Sequence, residues 1–513
     1  MTPHLKAFIV VFVMSVMALV FFRKPLADAV GAQRVDQWRN LWLIATSLLF
    51  LVPNFWLLLA ALIVVVSVMA RLDPLKPSIF LLLLFFAPAF GDAIPGFAGI
   101  NKFIMVTPPL ALSAVLLMPA MLSAKKMKPV AKAGGAADAF FLAYLVLLML
   151  LTARAPSVTH MLRTALEEFL MMAPLYYVLS RQPKSLSDIR VMSAAYLLSI
   201  LILCVVAIPE FLRTWHLYTS ASDQWFGARA FSYTMREGYL RTSTSVTDPI
   251  VWGMVALTGI GIGLAFFNDK FSRFYRYIAF ALVGFGLIVS FSRGPWLGAF
   301  VVVAIFVLIS PKAPLRIAQL GGGGLIALLL AMATPFGQSV IDVLPFIGDS
   351  ATSTISYRQQ LLQAAREVIA ENPILGSQDY MQHPKLQALR QGQGIIDIVN
   401  TYIRVGLNSG LVGLFLFVGF FASALLALRG AMKSAQKYNP TLALYCRAYF
   451  ATLVGVLVTI FTTSSVLHIP IIYWSLAGIA VALARVERHM RDNPEGVTAP
   501  DEEKPARAAF DWK

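Results

Sequence analysis

The chain has 513 residues, of which 58% are hydrophobic and only 13% are charged, and its formal net charge is +16. A soluble domain carries about a quarter charged residues, so this composition excludes a soluble multidomain enzyme and indicates a protein embedded in a lipid bilayer. The basic residues are not clustered on one soluble face, which argues against a nucleic-acid partner and favours contact with anionic membrane lipids.

Apolar runs that are long enough to cross about 30 Å of hydrocarbon recur along almost the whole chain. The candidate spans lie at residues 7–22, 41–52, 54–70, 77–90, 104–122, 137–152, 164–180, 191–209, 249–267, 274–290, 295–310, 316–333, 402–427, 443–465 and 470–485. We therefore predict an all-α fold, a polytopic transmembrane helical bundle of about 13–15 helices that occupies residues 1–484.

Two of the early runs need separate interpretation. The first, 7–22, is followed by Arg23 and Lys24 without a convincing cleavage site, which predicts an uncleaved anchor. The run at 41–52 is too short to cross alone. It precedes Pro53-Asn54, so we expect it to form a hairpin or a re-entrant element with the next run.

The distribution of Lys and Arg predicts the orientation of the bundle. The basic loops, at residues 125–132, 181–190, 270–276, 312–316 and 429–437, follow one another two spans apart. All of them are therefore assigned to the cytoplasmic side, although the orientation of the N-terminus stays open. The polar stretch 485–513 falls on that side and is predicted to be a disordered tail. Two long polar stretches, 210–248 and 334–400, are then periplasmic. The second is expected to contain short helices, since residues 357–370 follow an amphipathic helical pattern.

Five arginines lie at or just inside the predicted outer boundary, where positive-inside bias disfavours them. They are Arg241, Arg293, Arg358, Arg366 and Arg404. A single arginine beside a helical hairpin can extend its charge to water, but five on one side indicate an anionic ligand. The guanidinium group binds phosphate in a bidentate manner and stays charged at any relevant pH. This pattern favours a lipid-linked diphosphate as the ligand.

Several short motifs in this part of the chain resemble the O-antigen ligase/polymerase superfamily. They are Leu240-Arg241-Thr242-Ser243 before Asp248-Pro249, Ser290-x-Ser292-Arg293-Gly294-x-Trp296-Leu297-Gly298, Tyr357-Arg358, Glu371-Asn372-Pro373-Ile374-Leu375-Gly376, and Asn400-Thr401-Tyr402 before Gly406 and Ser409-Gly410-Leu411-Val412-Gly413-Leu414. Together they cover roughly 235–430 in the family's order.

The resemblance implies a glycosyltransferase of the bacterial inner membrane that needs neither metal nor cofactor and acts on the periplasmic face. It would polymerise undecaprenyl-diphosphate-linked oligosaccharide repeat units into exopolysaccharide or O-antigen. Its partners would be that lipid-linked oligosaccharide, membrane lipids and other polysaccharide-assembly proteins. By position, Arg293 and Arg241 would hold the diphosphate during catalysis, with help from Arg358. The remaining expected substrate contacts are Arg366, Arg404, Ser292, Asn400 and Tyr402.

The chain departs from the family at one position. Many members carry a histidine immediately before the Asn-x-Tyr element, and here that position is Val399, which cannot accept a proton. We expect Asp397 to serve as the catalytic base, with His383 as the alternative. The missing histidine favours a polymerase over a ligase that passes finished glycan to a lipid core or a protein.

A transporter or flippase of lipid-linked glycan is the alternative from another class. Transporters concentrate ionisable residues near the midplane of broken helices, whereas here they lie at the outer rim. Glu167 and Glu168 interrupt the run 164–180. They either face a functional cavity or take part in a simple i,i+4 ion pair between Arg163 and Glu167. The six histidines show no metal-ligand spacing, and Gly321–Gly324 lacks the ending of a P-loop.

Overall fold

A computed structural model describes residues 2–96, 102–123, 128–226, 233–236, 238–311, 313–315, 334, 352–390, 394, 396–466 and 468–493. Helices make up most of it, and the strands form two short hairpins. Eight of the described helices are long and apolar enough to cross a membrane. The all-α, polytopic fold is therefore confirmed.

The first part of the chain packs a helical layer against the centre of the bundle. Its elements are α1 (Pro3–Phe21), α2 (Arg23–Val30), α3 (Ala32–Leu51), α4 (Phe55–Leu72), α5 (Lys76–Leu83), β1 (Asp92–Pro95), β2 (Lys102–Val106), α6 (Pro108–Leu112) and α7 (Met118–Leu122). The π-helical turn Ser113–Leu117 joins α6 to α7.

Three predicted spans of this part have different limits in the structure. The run at 41–52 corresponds to the apolar second half of the 20-residue helix α3, whose first half is polar and pairs Asp36 with Arg23 at 2.8 Å. The run at 77–90 contains only the short helix α5, and the run at 104–122 begins with strand β2. Hydropathy alone does not detect such polar or irregular ends.

The middle of the chain supplies the most deeply buried helices. Its elements are α8 (Gly135–Leu151), α9 (Val158–Arg181), α10 (Leu186–Leu212), α11 (Thr219–Phe226), β3 (Met235–Arg236), β4 (Tyr239–Leu240), α12 (Pro249–Lys270), α13 (Arg273–Ile288) and α14 (Arg293–Leu308). Helices α10 and α12 are apolar on all sides and almost completely enclosed by their neighbours, as expected for central helices.

The last part of the chain covers one end of the bundle and then completes it. Its helices are α15 (Thr352–Glu371), α16 (Pro384–Gln387), α17 (Thr401–Ala435), α18 (Pro440–Ile460) and α19 (Ile469–Asp492). The predicted span 316–333 with its glycine run, the section 335–351 of the long loop, and the tail from residue 494 onward all lie outside the described residues.

The predicted start of the tail at residue 485 is wrong, because α19 continues to Asp492. Arg485 is buried within that helix, where it contacts Asp138 at 2.5 Å and donates to the Ser180 carbonyl at 2.8 Å. These bonds join three helices at the end of the bundle that carries the basic loops, which we call the basic end.

Aromatic contacts settle the orientation of the first helix, which the sequence leaves open. The Phe21 ring lies 5.3 Å from Tyr275, and the Phe22 ring stacks on Phe271 at 6.0 Å. Both partners flank Arg273, in one of the loops of the basic end. The C-terminal end of α1 therefore lies at the basic end, with Arg23 next to it, and the start of the chain lies at the opposite end.

The amphipathic helix expected at 357–370 is present as α15. It buries Leu361, Ala365 and Val368 in a small apolar cluster with Ile398 and Leu407. This cluster fixes α15 over the first turns of α17, at the end of the bundle opposite the basic loops.

Helix α17 contains a break at which the long loop docks. Gly410 adopts φ +66° and ψ −167°, a conformation that only glycine adopts readily. The freed amides of Leu411 and Val412 donate to the carbonyls of Pro373 and Ile374 at 2.7 and 3.2 Å. The Asn372–Gly376 motif is therefore a docking element for the loop.

Candidate functional site

The turn between α13 and α14 carries Arg293. Phe291 holds φ +43° there, and its ring stacks on Tyr239 at 5.9 Å. The Ser292 hydroxyl donates to the Pro249 carbonyl at 3.0 Å, which ties the turn to the start of α12. A non-glycine residue in this backbone region is strained, and such strain is concentrated at functional sites. Arg293 follows as the first residue of α14.

Small residues allow this turn to lie close to α18. A Cβ atom added to Gly294 would lie 2.4 Å from the Thr462 hydroxyl, and one added to Gly298 would lie 2.1 Å from the Thr459 hydroxyl. Trp296 donates its indole N–H to the Leu287 carbonyl at 2.8 Å. The Gly-x-Trp-x-Gly part of the motif is thus explained by packing, and Arg293 is its charged member.

Arg241 is held against the same turn from the neighbouring loop. Its Nε donates to the Ser290 carbonyl at 3.3 Å, and its Nη2 donates to the Ser292 hydroxyl at 2.9 Å. The Arg241 backbone amide donates to Thr234 across the β3–β4 hairpin at 3.0 Å. The Arg241 guanidinium group therefore contributes to joining two loops that are distant in sequence.

A buried carboxylate supports the loop that follows Arg241. Glu210, at the end of α10, accepts from the amides of Ser243 and Thr244 at 2.9 and 3.0 Å and contacts the His216 ring at 3.1 Å. Thr244 and Thr247 both have positive φ values, +48° and +67°. Glu210 compensates for this strained backbone, which makes it a positioning residue for Arg241.

A cavity of about 290 Å³ opens in front of these groups, and we call it the arginine cavity. Its charged lining residues are Arg236, Arg241, Arg293, Arg358, Asp248 and Asp397. Arg358 reaches it from α15 and also donates to the Thr462 carbonyl at 3.3 Å. Four cations thus converge from the hairpin, the strained turn and the outer helix.

The cations in this cavity destabilise one another. Burial and the neighbouring Arg236 lower the pKa of Arg241 to about 10, and Asp248 opposes this shift. Burial and Arg293 likewise lower the pKa of Arg358, opposed by Asp397. Because like charges and desolvation both disfavour the charged form, a bound anion would relieve the cost. The electrostatics of the cavity therefore favour a ligand with more than one negative charge.

Asp397 is one of the two carboxylates that line the cavity. Its Oδ1 accepts from the Ser464 hydroxyl at 2.5 Å, and its backbone carbonyl accepts from the Tyr357 hydroxyl at 2.9 Å. Val399 also lines the cavity. His383 does not line it and instead contacts Glu371 at 3.1 Å. Of the two bases considered from the sequence, only Asp397 reaches the cavity.

The other predicted contacts take different places. Asn400 caps α17 by accepting from the amides of Tyr402 and Ile403, and the Tyr402 hydroxyl donates to the Leu457 carbonyl at 3.0 Å. Arg366 is exposed on α15 and does not line the cavity, whereas Arg404 lines a second cavity. Substrate binding by these four residues stays a prediction.

Arg236 is the cavity arginine that the sequence analysis missed. It donates to the Phe291 carbonyl at 2.9 Å, within the same strained turn. The sequence does contain the information needed to identify Arg236. This residue lies in the polar stretch 210–248 and contradicts the positive-inside bias just as Arg241 does.

Residues 278–418 match the O-Antigen ligase family model. This match confirms the resemblance, and it includes Arg293, Arg358, Asp397 and the break at Gly410. Arg236 and Arg241 precede the O-antigen ligase region in sequence but contact its strained turn in space. A comparison with curated proteins finds no match.

Proposed function

We propose that this protein is a glycosyltransferase of the bacterial inner membrane that polymerises undecaprenyl-diphosphate-linked oligosaccharide repeat units at the periplasmic face. The O-antigen ligase region indicates a polysaccharide ligase- or polymerase-type function. The observation that carries the finer proposal is the convergence of Arg236, Arg241, Arg293 and Arg358 on one cavity at the end opposite the basic loops.

The diphosphate would bind in the arginine cavity with its lipid tail directed into the bilayer. An acceptor hydroxyl attacks the anomeric carbon of the donor sugar, a new glycosidic bond forms, and the bond from that carbon to the phosphate oxygen breaks. Undecaprenyl diphosphate leaves with the bonding electron pair. Arg241 and Arg293 stabilise the charge that develops on the leaving oxygen, a contribution worth about 2.7–4 kcal/mol for each donor that is removed.

We assign Asp397 as the base that accepts the proton of the acceptor hydroxyl. The carboxylate lines the cavity together with the arginines, and the Ser464 hydroxyl donates to one of its oxygens, which leaves the other oxygen to accept the proton. General-base catalysis contributes about 10²–10⁴-fold to the rate. Asp397 would thus replace the histidine that many family members carry at the position of Val399.

A ligase is the second candidate, and it would use the same cavity and the same leaving group. The family description favours it, whereas Val399 favours the polymerase. A lipid-linked glycan transporter is less well supported, because the cations gather at the rim of the bundle and around a strained turn.

The test replaces Arg293 in producing cells and follows the length of surface glycan on gels. Arg293→Ala should leave single, unextended repeat units, because the donor loses a cation from its diphosphate site. The matched control is Arg390→Ala, an exposed arginine of the same outer face that contacts only Gln387 in its described hydrogen bonds. Long chains that form but stay unattached to their final acceptor would refute the polymerase and favour the ligase. Unchanged glycan would refute both.

A further inference from the structure

A second cavity, of about 380 Å³, lies beside the arginine cavity and has a different chemical character. We call it the glutamate cavity, after Glu167 and Glu168 in its lining. Arg404, Tyr144, Tyr473 and Trp474 also line it. Ligand pockets are typically about 300–1,000 Å³, so this volume suits a small ligand.

The two cavities are lined by consecutive residues of one segment, 462–465. Thr462, Thr463 and Ser464 line the arginine cavity, while the next residue, Ser465, lines the glutamate cavity. The Thr401 hydroxyl, on the glutamate side, donates to the Thr463 carbonyl at 3.0 Å. Ligands in the two cavities would therefore lie within reach of one another.

The two glutamates are not used in the ion pair that the sequence offered as the simpler explanation. Arg163 donates instead to the carbonyls of Lys102 and Phe103. Glu167 accepts from the Met105 amide at 3.4 Å. Among the residues that the structure describes, no hydrogen bond or ion pair involves the Glu168 carboxylate, which lines the cavity. A carboxylate in this position is available to a ligand.

The lining excludes a diphosphate and fits a sugar. Two carboxylates repel an anion, but they are strong acceptors for the hydroxyl groups of a saccharide. Arg404, whose Nη1 donates to the Ser465 carbonyl at 2.8 Å, supplies hydrogen-bond donors in the same lining. Tyr144, Tyr473 and Trp474 supply apolar ring surface with polar edges, which suits the mixed surface of a sugar ring.

We propose that the glutamate cavity binds one saccharide unit of the glycan, with Glu168 accepting hydrogen bonds from its hydroxyl groups. This inference rests on the proposed function. The saccharide is either the acceptor or a sugar of the donor chain, since both present the same hydroxyl chemistry to the cavity. In either case the arginine cavity holds the diphosphate and the glutamate cavity holds the sugar.

The test measures the binding of two ligands, each separately, to the full-length protein in nanodiscs. One probe is the delipidated repeat-unit oligosaccharide, released from the lipid-linked unit by mild acid, and the other is undecaprenyl diphosphate. Glu168→Gln should weaken oligosaccharide binding about tenfold, because one charge-assisted hydrogen bond contributes about a factor of ten, and should leave undecaprenyl diphosphate binding unchanged. Glu367→Gln, on the exposed outer face, is the matched control and should change neither.

A second variant guards against a folding defect. Asn408→Ala also alters the lining of the glutamate cavity and should weaken oligosaccharide binding in the same direction. Thermal unfolding of each variant should match the wild type. If both variants bind the oligosaccharide as tightly as the wild type does, the inference is refuted.

Steady-state kinetics then identify the source of the saccharide. A raised KM for the free oligosaccharide used as acceptor assigns the site to the acceptor, and a raised KM for the lipid-linked unit assigns it to the donor chain. Wild-type protein that binds undecaprenyl diphosphate but not the oligosaccharide would overturn this inference alone. Wild-type protein that binds neither would overturn the proposed function as well.

Discussion

Replacing Gly410 with alanine should release the outer loop from the bundle. The residue has φ +66° and ψ −167°, and an added Cβ atom would lie 2.3 Å from the Ile374 carbonyl oxygen and 2.6 Å from the Gly376 amide nitrogen. These neighbours are backbone atoms, so no side-chain rotation can relieve the contact. The loop must move away or the helix must change its path.

The magnitude follows from the bonds that hold the loop in place. Separation breaks the bonds from Leu411 to Pro373, from Val412 to Ile374, and from Ser377 to Leu407. At about 0.5–1.5 kcal/mol for each hydrogen bond, the loss is about 1.5–4.5 kcal/mol. Retaining the contact would instead cost about 1–3 kcal/mol of backbone strain in addition to the steric overlap.

Hydrogen exchange of the purified protein in nanodiscs measures this loss directly. The amides of Ser377, Leu411 and Val412 should lose protection in Gly410→Ala, while the centre of α12 keeps it. The control is Gly430→Ala in the same helix, where an added Cβ meets nothing within 4 Å. That substitution should be neutral or stabilise the protein by up to about 1 kcal/mol, since alanine favours helix. Equal protection in the two variants would refute the docking role of Gly410.

Three further predictions concern the arginine cavity and its supports. Asp397→Asn should lower the rate of chain extension about 10²–10⁴-fold without weakening the binding of undecaprenyl diphosphate, because it removes a proton acceptor and a negative charge from the cavity and retains the shape of the side chain. Weakened diphosphate binding with an unchanged rate would contradict the assignment. The pKa of Arg241 is lowered to about 10, so Arg241 should lose its charge as the pH rises through about 10. The affinity for undecaprenyl diphosphate should therefore stay level from pH 7 to pH 9 and fall above that range. Arg241→Gln should abolish this fall in affinity near pH 10. Gly298→Ala should destabilise the protein by about 1–3 kcal/mol, as measured by thermal unfolding, because the added methyl group overpacks α14 against α18. Gly284→Ala is the control and should not destabilise the protein, since its added Cβ atom has no neighbour within 4 Å.

The cations of the site are predictable because their location contradicts a general rule. Arg241, Arg293 and Arg358 stand where positive-inside bias disfavours them, and the structure places all three in one cavity. The same rule, applied to every outer arginine, would have included Arg236. Positive-inside bias does not tell which of the outer arginines converge, since Arg366 and Arg404 also contradict the bias but do not line the arginine cavity.

The supports of the site are not predictable in this way, because their partners are backbone groups. Glu210 ends an apolar helix and its ligands are the amides of Ser243 and Thr244, which any residue type would provide. The break at Gly410 lies inside the predicted span 402–427, and the amides that it frees donate to the carbonyls of residues 373 and 374. The hydropathy of a sequence predicts which residues of one helix are buried. These hydrogen bonds depend instead on which segments of the chain come into contact in the fold.

The location of Arg358 links the loop docking to the chemistry of the site. Arg241 lies in a loop joined to the bundle and Arg293 begins α14, but Arg358 belongs to α15, which lies outside the bundle. The cluster formed by Leu361, Val368 and Leu407 holds α15 on α17, and the Gly376–Gly410 contact holds the segment that follows α15. Undocking would therefore remove one cation from the arginine cavity and would move Tyr357 away from the Asp397 carbonyl. Gly410→Ala should consequently reduce diphosphate binding as well as loop protection, although Gly410 lines neither cavity. A variant that loses protection but keeps full affinity would show that Arg358 contributes nothing to the diphosphate site.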